Sequence, residues 1–158
     1  MFGFNKCKVV LSFIYKNKSW LSNISDLEKL SKRVVAKTFK TVGIKQLKGM
    51  EISILLTGDK EIREFNKNYR GKDKATNVLS FETGDAFLLG DIIMSWNTLN
   101  AEAKAEHISV RNHYAHLLCH GVLHLLGFDH IDDDDAREME FFEIKILESM
   151  GIANPYEE

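Results

Sequence analysis

At 158 residues and 44% hydrophobic content, the chain can bury one sizeable core but not two, so a single domain over 1–158 is expected. The net charge of −2 conceals a segregation: residues 1–50 carry eleven Lys or Arg against two acids, residues 51–128 eight against ten, and residues 129–158 two against eleven. A near-neutral average therefore does not exclude a polyanionic partner. Cys7 and Cys119 lack C-x-x-C spacing, which excludes a disulfide framework or a cysteine metal site and fits a reducing cytoplasm.

In chain order, Lys8 to Tyr15 reads as a strand. Its apolar run is short, contains Ser12 and is followed by Lys16, Lys18 and Trp20 rather than small cleavage-site residues, so no export signal is expected. No stretch approaches membrane-spanning length. Ser25 and Glu28 are spaced as a capping box that opens a helix with an apolar stripe of Leu27, Leu30, Val34 and Val35, running to about residue 40. Gly43 and Gly49 punctuate a turn before Glu51 to Leu56, a second strand, and a helix follows from about Lys60 to Tyr69. Asn77 to Glu82 and Asp91 to Trp96 read as two strands of a hairpin around Gly84, followed by a short helical piece over 97–105. A long helix then spans about Ser109 to Leu126 and a last one Asp134 to Met150, ended by Gly151 and Pro155. The order β-α-β-α-β-β-α-α predicts an α+β fold: one mixed sheet of about four strands packed by helices. Asp132 to Asp135 stand ahead of the last helix, where carboxylates suit the positive end of its dipole.

The long helix carries His120 and His124, four residues apart and so on one face about 6 Å from each other. Gly127 can end that helix in the left-handed conformation and turn the chain so that His130 meets the other two. Three neutral nitrogen ligands leave one position of a tetrahedral ion open, the arrangement of catalytic rather than structural zinc. One zinc ion is the expected cofactor. The H-x-x-x-H-x-x-G-x-x-H spacing is also that of metzincin peptidases, which place a glutamate beside the first histidine as general base; Gly121 occupies that position here and carries no proton.

His120-Gly-Val-Leu-His124-Leu-Leu-Gly127-Phe-Asp129-His130 resembles the H-G-x-L-H-L-x-G-x-D-H hallmark of the YbeY family of bacterial endoribonucleases at every fixed position. Asn68 to Phe81, with Arg70, Lys72, Lys74, Thr76, Asn77 and Ser80, resembles a second block of that family, and Gly90-Asp91-Ile-Ile a third, so the likeness covers residues 68–130. It implies zinc on His120, His124 and His130 and a requirement of activity for Arg70. It further implies a single-strand-specific endoribonuclease in ribosomal RNA processing, namely 16S rRNA 3′-end maturation, and in ribosome quality control. Small-subunit ribosomal and assembly proteins are its expected partners.

The residue chemistry is compatible with this. A divalent ion on three imidazoles keeps its charge, polarises a phosphoryl oxygen and lowers the pKa of bound water, while Arg70 offers a planar fork that fits phosphate. Metal-bound water is the expected nucleophile, the ribose 2′-hydroxyl the alternative. Without the resemblance, Arg70 reads as a structural ion pair. Lys72 and Lys74 add backbone attraction, and Lys29, Arg33 and Lys37 are either an RNA-facing patch or a solvated helix face. The acidic last helix is expected to turn away from the cleft. Asp129 either orients an imidazole or stabilises the turn. His116, one turn before His120, is expected to line the pocket or back a ligand, His113 and His107 to lie on the surface, and Cys119 to miss the metal. Two other classes share the cage: a metallopeptidase, which Gly121 disfavours, and a noncatalytic assembly factor stabilised by zinc.

Overall fold

A computed structural model describes residues 7–157. Its order is β1 (Val10–Tyr15), α1 (Ser19–Asn23), α2 (Leu27–Val42), β2 (Glu51–Thr57), α3 (Asp59–Arg70), β3 (Val78–Glu82), β4 (Leu88–Ser95), α4 (Trp96–Glu106), α5 (Val110–Leu125) and α6 (Asp133–Glu148). The four strands form one mixed sheet in the order β1-β2-β4-β3; β1, β2 and β4 run parallel and β3 antiparallel to β4. The α+β expectation holds, with the hairpin at the expected place. β3 is an edge strand, so one side of it is free to line a cleft.

Strand alternation assigns the two faces. Ile52, Ile54, Leu56, Ile92 and Met94 point to the larger core, where they meet Leu30, Val34, Leu118 and Val122 of α2 and α5 and Met139 and Ile146 of α6. Leu79 and Ile93 point the other way and meet Ile62, with Leu55, Phe65 and Phe81 packed around them. So α3 covers one face near β3, while α2, α5 and α6 cover the other. No described helix is long and apolar enough to cross a membrane.

Several boundaries differ from the sequence reading, each for a local reason. Lys8 and Val9 do not join the ladder of β1; both their amides donate to the Gln46 side-chain oxygen, at 2.7 and 3.2 Å. The capping box does not form. α2 starts at Leu27 without a side-chain cap, because the Asp26 carboxylate is engaged by Arg111 at 2.7 Å and Glu28 accepts from the Tyr15 hydroxyl at 2.7 Å. α1 has only five residues, too few for a periodic signal, yet its Trp20 is fully buried, donates to the Thr57 carbonyl at 3.1 Å and packs edge-on against Trp96 and Tyr114. β4 begins three residues early, at Leu88, because Gly90 (φ 149) lets the ladder bulge past Glu51; a β-carbon there would lie 2.2 Å from the Phe81 carbonyl oxygen. Trp96 opens α4 instead of closing the strand. At α6, Asp132 caps the helix by accepting from the Asp135 amide at 2.8 Å, and the helix ends at Glu148 rather than Met150.

Candidate metal centre and its cavity

α5 is opened by the Ser109 hydroxyl, which accepts from the Asn112 amide at 3.1 Å, and it is closed by Gly127 (φ 98). The Gly127 amide donates to the His124 carbonyl and the Phe128 amide to the Leu123 carbonyl, each at 3.0 Å. That closure reverses the chain and brings His130 back to the helix face that carries His120 and His124. One nitrogen from each of the three rings lies within 4.8 Å of the others, and ring centroids are 4.6, 5.0 and 5.6 Å apart. The cluster could hold a metal ion.

Hydrogen bonds behind the rings decide which nitrogens face the centre. The Phe128 carbonyl can only accept, so His124 donates from Nδ1, at 3.0 Å, and keeps a lone pair on Nε2. His120 donates from Nδ1 to the ionised Glu143 Oε1 at 2.9 Å and likewise keeps its Nε2 lone pair. In the neutral tautomers that these bonds select, the two Nε2 atoms turn their lone pairs toward each other at 3.1 Å. Unfavourable for two bare lone pairs, this separation approaches the edge of about 3.3 Å between two ligands held about 2.0–2.1 Å from a tetrahedral zinc. The donor set therefore fits a divalent cation. Burial, followed by the adjacent His120 and His130, holds the His124 imidazole below its ordinary pKa of 6.5, a shift toward the neutral form that binds metal.

Glu143 is missing from the sequence reading. It lies on the inner face of α6 among Met139, Ile146 and Leu147, with its side chain 1% exposed. It also accepts from His116 Nε2 at 3.1 Å and, on Oε2, from the Tyr156 hydroxyl at 2.7 Å. Burial pushes its carboxyl up, but the bonds from His116 and His120 outweigh that and hold it at about 2. Burial, and then the contact with Glu143, pushes the Tyr156 phenol above its usual range. The expectation that the acidic helix turns away from the cleft is thus corrected at this residue. A carboxylate in an otherwise apolar helical stripe was the signal available for it.

The histidines border a cavity of about 560 Å³, within the usual size range of ligand sites. Its opposite wall is built by β3 and the segment before it, with Thr76, Asn77, Ser80 and Glu82, and by Arg70 at the end of α3. Among the described residues Arg70 forms no ion pair, whereas Arg63 of the same helix is paired with Asp73 at 2.7 Å. Lys72 and Lys74 lie exposed on the loop beyond Arg70, tied down by Asn66, which donates to the Lys74 carbonyl at 2.9 Å and accepts on its own carbonyl from the Lys72 amide at 3.1 Å. Neither borders the cavity, nor do Lys29, Arg33 or Lys37 of α2. His116 does.

Gly121, where a peptidase carries its base, faces the sheet. A β-carbon there would lie 3.1 Å from Ser80 Oγ and 3.2 Å from Ile92 Cδ1, and the Gly121 carbonyl accepts from Ser80 Oγ at 3.3 Å. The glycine lets α5 approach β3 and β4 closely, and a β-carbon there would require Ser80 and Ile92 to give way by a few tenths of an ångström. Asp129 accepts from the His130 amide at 2.8 Å and thereby holds the turn; no described bond joins it to an imidazole. Cys119 is buried, its thiol pushed up by burial and then by Glu143, and is not one of the cluster. His113 is not on the surface: it is buried and shares a hydrogen bond of 2.8 Å with Glu102, which also accepts from Asn77 at 3.1 Å. His107 is exposed and closes α4 in a left-handed conformation.

The family model described as endoribonuclease YbeY matches residues 14–151. A protein of Azorhizobium caulinodans named endoribonuclease YbeY is 40% identical over 152 residues, covering 92% of this chain and 95% of its own. Proteins of the same name from Methylocella silvestris and Acinetobacter baumannii are 38% and 44% identical, covering 96% and 80% of this chain and 88% and 85% of theirs. The solution structure of a Thermotoga maritima protein superposes with a TM-score of 0.51 at 20% identity, over 95% of this chain and 99% of that one, a likeness of fold.

Proposed function

Because the chain belongs to the endoribonuclease YbeY family, we propose that it is a zinc-dependent endoribonuclease specific for single-stranded RNA. Its place is the processing of ribosomal RNA, including maturation of the 16S rRNA 3′ end, and ribosome quality control, in the cytoplasm beside small-subunit ribosomal and assembly proteins. The observation that carries the reading is that Arg70, without a carboxylate partner among the described residues, borders the same cavity as the three histidines. When bound to them, zinc supplies Lewis-acid polarisation of a phosphoryl oxygen and activation of water.

The chain's own residues do the rest. His120, His124 and His130 hold the ion through neutral nitrogens, so its charge is not cancelled by its ligands. Arg70 orients the scissile phosphate with its fork and offsets the charge that builds on it in the transition state. Incubating the metal-loaded protein with unstructured RNA and with casein, each with and without a chelator, tests the assignment. RNA cleavage that the chelator stops is expected; casein cleavage would instead favour a peptidase, and no cleavage of either a noncatalytic assembly factor.

RNA affinity is expected to fall as salt rises, with a log-log slope of about −0.7 per phosphate neutralised. Lys72→Glu with Lys74→Glu should flatten the slope for an oligonucleotide that runs from the cavity past Arg70 onto the loop beyond α3. Reversing Lys29, Arg33 and Lys37 to Glu should flatten it only for RNA long enough to run beyond the cavity. Filter binding across a salt series separates these outcomes, and an unchanged slope for long RNA in the α2 triple variant makes that face merely solvated.

A further inference from the structure

An ionised carboxylate buried among Met139, Ile146 and Leu147 destabilises a fold unless both of its oxygens find donors. Glu143 meets three donors, and all of them lead to the metal centre. His120 and His116 share Oε1, at 2.9 and 3.1 Å, while Tyr156 takes Oε2 at 2.7 Å. Tyr156 arrives on the segment after α6 and lays its ring edge-on against His116, with centroids 5.6 Å apart. It also forms part of the cavity wall.

We propose that Glu143 is a positioning residue that fixes the ring of His120 and aims its Nε2 at the metal, with Tyr156 as the anchor that holds the Glu143 carboxylate in place. The inference rests on the reading of His120, His124 and His130 as metal ligands. The two ligands on α5 are gripped from behind in different ways, His124 by a backbone carbonyl and His120 by this carboxylate. A carbonyl moves only with the chain. The carboxylate is held by side chains from α5 and from the C-terminal segment, so the geometry of one ligand depends on a residue 36 positions further along the chain. Such outer partners set the basicity and ring angle of a ligand, and their loss commonly lowers metal affinity about 10–100-fold.

Zinc affinity, measured by competition with a chromophoric chelator, is therefore expected to fall about 10–100-fold in Glu143→Gln, which keeps the shape and removes the charge. Tyr156→Phe, which keeps the ring on His116 and loses the bond to Oε2, should bind zinc more weakly than the parent and more tightly than Glu143→Gln. The cobalt-substituted protein should show altered visible bands in both. A merely structural Glu143 would lower the apo melting temperature and leave affinity and cobalt spectrum alone. Parent-like zinc affinity in Glu143→Gln overturns the proposal, as it does in Tyr156→Phe should Glu143→Gln fail to fold. His124→Ala is the control: if it also keeps the parent's affinity, the ligand assignment itself has failed rather than the role of Glu143.

Discussion

Replacing Arg70 with alanine is expected to slow RNA cleavage about 10²–10³-fold while leaving zinc content and melting temperature close to the parent's, the loss typical of removing one group that stabilises developing charge. The residue is exposed, terminates α3, and makes no ion pair among the described residues, so little packing is lost with it. Removing a positive charge from a helix C-terminus costs only about 0.3–1 kcal/mol. Arg70→Lys discriminates further. Lysine restores the charge, and with it the helix-end interaction, but not the planar fork, so it should restore the melt without restoring most of the rate. The measurements are single-turnover cleavage of an unstructured RNA, thermal melts, and elemental analysis of the dialysed proteins. A drop in rate that follows a drop in melting temperature would return Arg70 to a structural role.

The separation of Arg70 from the histidines by some fifty residues explains why resemblance, rather than spacing, had to join them. Local patterns were legible. The i,i+4 histidines, the glycine that ends their helix, the alternating strands and the hairpin at Gly84 each depend on neighbours within a few residues. What could not be read depends on the packing of distant elements. Ser25 and Glu28 obey the capping-box spacing, yet Arg111 and Tyr15 capture the Asp26 and Glu28 carboxylates from distant parts of the fold. His113 belongs to a polar residue type that favours the surface, and only the approach of α4 gives it Glu102 and a buried place. Gly121 read as an absent base; it is also the contact at which α5 nests on β3 and β4. Glu143 stood midway, since an acid between Met139 and Leu147 breaks an apolar stripe, but its partners are one turn apart on another helix.

The second large effect expected is the loss of zinc on replacing any one of His120, His124 or His130 with alanine, and His124→Ala is the clearest case. Its Nε2 lies 3.1 Å from that of His120, and its other nitrogen is committed to the Phe128 carbonyl, so its ring is held in the cluster from both sides. Two remaining imidazoles no longer define a tetrahedral site, and affinity should collapse by several orders of magnitude. Because the ring is only half-buried, the apo variant should still fold. The difference belongs in the response to metal. At free zinc about 100-fold above the dissociation constant, the parent gains about 2.7 kcal/mol of stability, visible as a rise in melting temperature, and His124→Ala should gain almost none. The control should be His107→Ala, which is exposed and remote from the cluster, and not His113→Ala, whose burial against Glu102 makes it destabilising for reasons unrelated to metal. Equal zinc content in dialysed His124→Ala and parent proteins, or an equal rise in their melting temperatures on adding zinc, removes the three-histidine centre. The proposed role of Arg70 would then have to be tested without a metal ion beside it, since the 3.1 Å approach of the His120 and His124 Nε2 atoms would need another explanation.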